Sequence, residues 1–173
     1  MVRVLDICHP MAGKGPAYMA ISVTTLDSTI ARKLEPRTPT PAKRIEAILA
    51  LAKAGIPTAV LAAPMIPALN DSEMEAILEA TQSVGASAAE YIMLHLPLEI
   101  RDLFVEWLHG NFPDRANHVI SLVRDTRNGA DYNANWGTRM TGTGAYAALM
   151  KQRFAIAAAR LGLNKRRHDL DIT

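Results

Sequence analysis

Strand and helix patterns alternate through the first half of the chain, and this alternation constrains the fold more than any other feature. Apolar, β-branched runs near 20–26, 57–66 and 88–95 are separated by helical patterns, with a unit of about 35 residues. Short connections between such units give right-handed crossovers and a parallel sheet. The sequence therefore predicts an α/β fold of about three parallel strands. Three strands are too few to close a barrel, so we expect that part of the domain is missing.

Helix-terminal signals mark the two crossovers. Thr40 suits the N-cap of the first helix, Pro41 its first turn and Gly55 its end. Asn70-Asp71 offers a second N-cap, and Gly85 a second end. Apolar stripes then predict a helical C-terminal region, formed by Ile100, Leu103, Phe104, Trp107 and Leu108, by Ala116, Val119, Ile120 and Val123, and by a last helix near 145–161.

Charge and cysteine content exclude several classes of protein. The balance runs from −2 in residues 1–100 to +4 in residues 101–173, which permits an anionic partner or a solvated basic surface. A single cysteine, Cys8, forbids an internal disulfide and any iron–sulfur cluster held by this chain alone. No apolar stretch is long enough to span a bilayer, and no histidine spacing suggests a metal site. We expect a cytoplasmic protein without a membrane partner or a metal ligand.

Several residues could carry chemistry, and each has a plainer interpretation. The polar, aromatic loop at 129–144 is typical of a ligand or nucleic-acid site, and equally of a packed connection. Cys8-His9 resembles a nucleophile and base, although an incidental thiol is the simpler reading. His95 follows the third predicted strand, where ligands of parallel sheets bind.

A family resemblance joins these pieces. It is carried by AISVTTLD at 20–27, LEPRTPTPAKRIEAI at 34–48, LAKAGIP at 51–57, APMIPALND at 63–71, YIMLHLPLE at 91–99, FPDR at 112–115 and YNANWGTRMTGTGAYAALMKQRF at 132–154. In order and spacing they resemble the C-terminal half of radical S-adenosylmethionine proteins related to spore photoproduct lyase, a DNA-repair-photolyase-like group.

The resemblance implies a fold and a division of the chain. Members of that family fold as an incomplete (β/α)6 barrel, and their Cys-x3-Cys-x2-Cys loop, which holds a [4Fe–4S] cluster, is absent here. Residues 1–97 would be the C-terminal half of such a barrel. Residues 98–173 would be a helical extension packed on it.

The resemblance also implies site residues. Ser22 and Ala63 match positions that contact S-adenosylmethionine, and Thr24, Asn70 and Leu94 are neighbouring candidates for cofactor binding. Glu35 and Arg44 match motifs to which we assign a structural ion pair.

The resemblance implies a radical S-adenosylmethionine enzyme of lyase or DNA-repair type. We expect this chain alone to be inactive. A nucleic-acid-binding or protein-interaction module without catalysis is the alternative, and whether the chain is an enzyme stays open. DNA contacts would come from Arg127 and from Trp136, Arg139, Lys165, Arg166 and Arg167. Other partners would be a second copy, through an exposed sheet edge, or a missing N-terminal half.

Overall fold

The computed structural model of the chain describes residues 19–127, 129 and 140–164. Within this part the order of elements is β1 (Met19–Ser22), α1 (Ser28–Leu34), α2 (Pro41–Lys53), β2 (Thr58–Met65), a 3-10 turn (Asp71–Glu73), α3 (Met74–Ser83), β3 (Ala88–Met93), α4 (Leu98–Asn111), α5 (Pro113–Asp125) and α6 (Gly144–Arg160).

The three strands form one parallel sheet in the order β1-β2-β3. Met19–Ser22 pairs in register with 58–61, and 59–62 pairs with 88–91 before the register shifts between Ala62 and Met65. The predicted α/β class with three parallel strands is confirmed, and the arrangement is consistent with the partial (β/α) barrel that the family resemblance implies.

Helix α2 begins and ends where its sequence signals predict. The Thr40 hydroxyl oxygen accepts from the Lys43 N–H at 3.4 Å, and Pro41 is the first helical residue. Helix α1 was not predicted. It has seven residues, and its N-cap is Asp27, whose carboxylate accepts from the Thr29 and Ile30 N–H groups. An aspartate after an apolar run marks the end of a strand as readily as the start of a helix.

Two details of the predicted helices are wrong. Asn70 makes no capping hydrogen bond to the following helix, because a 3-10 turn intervenes and the Asn70 side chain binds backbone groups elsewhere. In α4 the stripe is only partly buried: Phe104 and Leu108 enter the core, while Ile100 and Leu103 are 51 % and 65 % exposed. Among the described residues, the neighbours of α4 cover only part of its five-residue apolar stripe.

The core has two clusters. The first lies beneath the sheet and includes residues of β2, α3 and α6, such as Val60, Ile77 and Met150. The second joins the carboxyl ends of β2 and β3 to α4 and α5, through residues such as Ile66 and Leu108. Helix α6 therefore belongs to the core of the sheet, although α4 and α5 separate it from the strands in sequence.

Helix α1 is attached to the junction of α4 and α5. The Trp107 Nε1–H donates to the Lys33 carbonyl at 3.0 Å, and Lys33 Nζ donates to the Asn111 carbonyl at 2.9 Å. The same ammonium lies 4.5 Å from the centre of the Phe112 ring, a cation–π distance. These contacts hold the end of α1 beside the C-terminal helices.

A polar seam fastens α6 to α3 and the turn before it. The Tyr146 hydroxyl donates to the Asp71 carboxylate, and Arg153 makes two hydrogen bonds to Glu75 at 2.6 and 2.8 Å. Arg160 pairs with Glu79 one turn further along. Burial and the bond to Asp71 raise the pKa of Tyr146 to about 12, so this hydroxyl remains a donor at neutral pH.

The Glu75–Arg153 pair predicts a pH-dependent contribution to stability. The Arg153 hydrogen bonds hold the Glu75 pKa below its ordinary value of 4.5, so the stabilisation is present above pH 4.5 and is lost as pH falls through the lower, folded-state pKa. We expect Glu75→Gln to reduce the free energy of unfolding by about 1 kcal/mol at pH 7, since both side chains are partly exposed. In urea unfolding, this difference should shrink steadily towards acid pH.

The control is Glu46→Gln, which breaks the exposed Glu46–Lys43 pair. It should change the free energy of unfolding very little at any pH. An effect of Glu75→Gln that stays constant down to acid pH would contradict the expectation.

Among the described helices, none combines the length and the apolar character that crossing a bilayer requires.

Candidate functional site

Polar groups gather at the carboxyl ends of the strands, as parallel sheets lead one to expect. Ser22 is the last residue of β1 and is exposed, Ala63 lies near the end of β2, and Leu94 directly follows β3. Residues that the sequence placed at ligand positions thus share one edge of the sheet.

Arg44 organises the part of this edge around Ser22. Its Nη1 donates to the Ser22 hydroxyl oxygen at 2.9 Å and to the Ser22 carbonyl at 3.0 Å. Its Nη2 donates to Glu35 Oε2 at 2.7 Å and to the Thr38 hydroxyl at 3.0 Å, and its Nε donates to the Pro39 carbonyl at 3.2 Å. The predicted Glu35–Arg44 ion pair is therefore present, and the same guanidinium also binds Ser22.

Thr24 connects this network to β2. Its hydroxyl lies 2.9 Å from the Ala63 carbonyl oxygen and 3.2 Å from Glu35 Oε2, so its single proton goes to one of the two. Thr24 is 3 % exposed. Five residues chosen from the sequence are brought together in this way: Ser22, Thr24, Glu35, Arg44 and Ala63, the last through its backbone carbonyl.

Asn70 is wholly buried and binds backbone groups. Its Oδ1 accepts from the Ile66 N–H at 2.6 Å, and its Nδ2 donates to the Thr24 carbonyl at 2.7 Å and to the Pro64 carbonyl at 3.0 Å. These bonds join the loop after β1 to the end of β2. Asn70 therefore links the ends of β1 and β2, and both of its amide hydrogens are bound by backbone carbonyls of the protein.

Leu94 is held by Arg127. The Leu94 N–H donates to the Met65 carbonyl at 2.9 Å, and its own carbonyl accepts from Arg127 Nη2 at 2.8 Å. Arg127 is 3 % exposed, and burial lowers its pKa from the ordinary value. The expectation that Arg127 contacts DNA phosphates is therefore wrong for this arrangement, because its guanidinium faces the protein interior.

Glu73 is a site residue that sequence reasoning missed. Its carboxylate accepts from the Thr25 hydroxyl at 2.7 Å and from the backbone N–H groups of Leu26 and Asp27 at 2.5 and 3.3 Å. It thereby fixes the loop that leaves β1. A contact between residues more than forty positions apart leaves no signal in local sequence.

An open groove runs along β1 beside this network. Its volume is about 610 Å³, which lies within the range of small-molecule sites. Ser22 and Arg44 stand at one side, and the other lining residues are mostly apolar or small: Ala20, Ile21, Pro39, Lys43 and Ala47. The groove can receive an uncharged or mixed ligand next to the Ser22 hydroxyl.

Metal-ligand groups are missing from residues 19–127, 129 and 140–164. In these ranges no three His, Cys, Asp or Glu side chains are placed so that they would hold a metal ion. The whole sequence contains one cysteine, whereas a [4Fe–4S] cluster needs several thiolates. The residues present do not fit a cluster.

Most of the remaining candidates lie outside the described residues. These are Cys8 and His9, and the other five DNA candidates, Trp136, Arg139, Lys165, Arg166 and Arg167. His95 is two residues beyond β3 and half-buried.

Comparisons with known proteins add a family. Uncharacterized proteins of Mycobacterium bovis and of two Mycobacterium tuberculosis strains are each 31% identical to the chain over 124 residues, which is 70% of this chain and 36% of theirs. The chain thus spans about a third of the length of the curated relatives that it matches. No solved structure matches it significantly. Residues 1–81, which include β1, β2 and the Ser22–Glu35–Arg44 network, match the family model of the radical SAM superfamily.

Proposed function

We propose that this chain supplies one side of an S-adenosylmethionine site in a radical S-adenosylmethionine enzyme. The observation that carries the proposal is the Ser22–Arg44–Glu35 network beside an open groove at the carboxyl end of β1, inside the segment that matches the superfamily model. The superfamily supports the cofactor in general terms.

The chemistry of the groove suits that cofactor. S-adenosylmethionine combines a flat base, ribose hydroxyls and an amino-acid end, and it needs both apolar surface and a few placed polar groups. Ser22 would meet a polar atom of the ligand, and the apolar side chains along β1 and α2 would face its base. Arg44 and Glu35 would keep Ser22 in place, and Asn70 would hold the two strand ends together.

In a complete enzyme the cofactor would supply hydrogen-abstraction chemistry only after one-electron cleavage of its carbon–sulfur bond, with methionine as the leaving group and a [4Fe–4S] cluster held elsewhere as the electron donor. The part of this chain is to orient the ligand and to exclude water on one side. The single cysteine does not provide a cluster, and we expect the chain alone to bind no iron and to cleave no cofactor.

Finer assignments are proposals that rest on the resemblance. They are the likeness to spore photoproduct lyase-related proteins, a DNA lesion as substrate, and the description of the chain as a C-terminal half. One geometric feature supports the last: β1 pairs on one side among the described residues, and the amides of Ala20 and Ser22 face away from β2.

Binding of S-adenosylmethionine tests the proposal. We expect the chain to bind it weakly, with a dissociation constant of roughly 1 mM, because an open site removes little ligand surface from water. Ser22→Ala should weaken binding by roughly fivefold, the effect of one hydrogen bond. A titration followed by NMR chemical shifts measures both constants.

The control variant is Ser72→Ala, which removes an exposed serine hydroxyl away from the groove. It should bind as the wild type does. Failure of the wild-type chain to bind, or equal weakening by the two substitutions, would contradict the proposed site.

A further inference from the structure

We propose that Arg44 is a positioning residue that makes Ser22 a hydrogen-bond donor towards the ligand. The inference rests on the proposed function for the identity of the ligand. The arrangement of the hydroxyl itself depends on the protein alone.

The hydrogen bonds of the Ser22 hydroxyl determine what it can offer a ligand. A serine hydroxyl has one proton to donate and two lone pairs to accept with. Arg44 Nη1 occupies one lone pair at 2.9 Å and also binds the Ser22 carbonyl at 3.0 Å. Among the described residues, Ser22 Oγ donates to no acceptor. Its proton and its second lone pair therefore remain for the groove, and the bond from the Arg44 cation favours use of the proton.

The hydrogen-bond donors of Arg44 are all engaged by the protein. A guanidinium has five N–H donors, and here all five are used, on two Ser22 oxygens, Glu35, Thr38 and the Pro39 carbonyl. The Arg44 side chain is 11 % exposed. An anionic group of the ligand would have to break one of these bonds to reach Arg44, so the guanidinium acts through Ser22.

The contact with Arg44 decides which ligand atom Ser22 binds best. A cation that donates to a hydroxyl oxygen polarises the O–H bond, strengthens its donation and weakens the remaining lone pair as an acceptor. The preferred partner of Ser22 is then an acceptor, such as a ribose oxygen, a ring nitrogen or a carboxylate oxygen. A ligand ammonium or N–H would have to use the second lone pair of the Ser22 oxygen and would bind less well there.

The side-chain conformation of Ser22 provides a test without ligand. In the wild-type chain, NMR coupling constants across the Ser22 Cα–Cβ bond should report a single rotamer. Arg44→Met should give averaged couplings, since nothing else described holds the hydroxyl, and Arg44→Lys should restore part of the preference. The control is Arg37→Met, which removes an exposed arginine from the neighbouring loop. It should leave the couplings unchanged. A single Ser22 rotamer in a folded Arg44→Met chain overturns the positioning role.

A double-substitution cycle provides the second test, with S-adenosylmethionine as the probe. Ser22→Ala and Arg44→Met should each weaken binding by roughly fivefold. Because Arg44 acts through Ser22, the double variant should also lose roughly fivefold, whereas independent contacts would lose about 25-fold. A loss of about 25-fold in a folded double variant would therefore overturn the inference.

The two proposals fail in different ways. A wild-type chain that does not bind S-adenosylmethionine overturns the proposed ligand, while its Ser22 couplings still decide the role of Arg44. If Arg44→Met does not fold, the Arg44→Lys variant tests the role of the guanidinium instead. A lysine has three N–H donors on a single nitrogen and cannot reproduce the five bonds that Arg44 makes. Couplings and affinity unchanged in Arg44→Lys would then contradict the role of the guanidinium.

Discussion

Replacing Asn70 with alanine is expected to lower the free energy of unfolding by about 3 kcal/mol. The substitution removes three hydrogen bonds and leaves the Ile66 N–H and two carbonyls without their partner in a fully buried place. A buried polar group left unpaired costs roughly 1 to 3 kcal/mol. Urea unfolding followed by circular dichroism measures the loss.

Two further variants identify the cause. Asn164→Ala removes an exposed asparagine and should change stability by less than about 0.5 kcal/mol. Asn70→Asp keeps an acceptor for the Ile66 N–H but places a carboxylate oxygen beside the Thr24 and Pro64 carbonyl oxygens, which repel it. It should therefore lower the free energy of unfolding at least as much as alanine does. A tolerated aspartate would show that the two donated bonds contribute little.

Replacing Gly85 with alanine is expected to cost about 3 kcal/mol or more. Gly85 has φ +104°, and a Cβ there would lie 2.6 Å from the Ala52 Cβ, so backbone strain and a clash between α2 and the α3–β3 turn add together. Gly55 is the matched control, since it also follows a helix, has φ +72° and has no atom within 4 Å of an added Cβ. Gly55→Ala should cost about 1 kcal/mol.

Ala52→Gly separates the clash from the strain. It removes the atom that the new Cβ would meet, at a cost of up to about 1 kcal/mol in helix propensity. The double variant Gly85→Ala, Ala52→Gly should therefore be more stable than the sum of the two single losses predicts. Simple additivity would show that the helix moves to relieve the contact.

Local signals predicted the elements that depend on neighbouring residues. The Thr40 cap and Pro41 fix the start of α2, and β-branched runs mark the strands, because both effects act within a few positions. Asn70 shows the limit of such signals. It carries the residue type of an N-cap, but backbone groups of two other segments compete for its side chain, and those groups are distant in sequence.

The same limit holds for the site. Positions such as Ser22 and Arg44 were selected through a family resemblance, and their grouping depends on the path of the chain between them. Glu73 was missed because a glutamate in a polar turn looks like a solvated residue, whereas the fold turns it towards the loop after β1. The burial of Arg127 could not be predicted from the sequence either, because a charged side chain is ordinarily expected at the surface.

The attachment of α1 to Trp107 has a consequence for how this protein can be divided. Glu35, the counter-ion of Arg44, follows directly after α1, and α1 is tied at Lys33 to α4 and its end at Asn111. A boundary at residue 97 would separate those partners and free the segment that carries Glu35. The C-terminal helices thus help to hold the segment that carries Glu35, and a chain in which they were exchanged would lose a support of the Glu35–Arg44 ion pair beside Ser22.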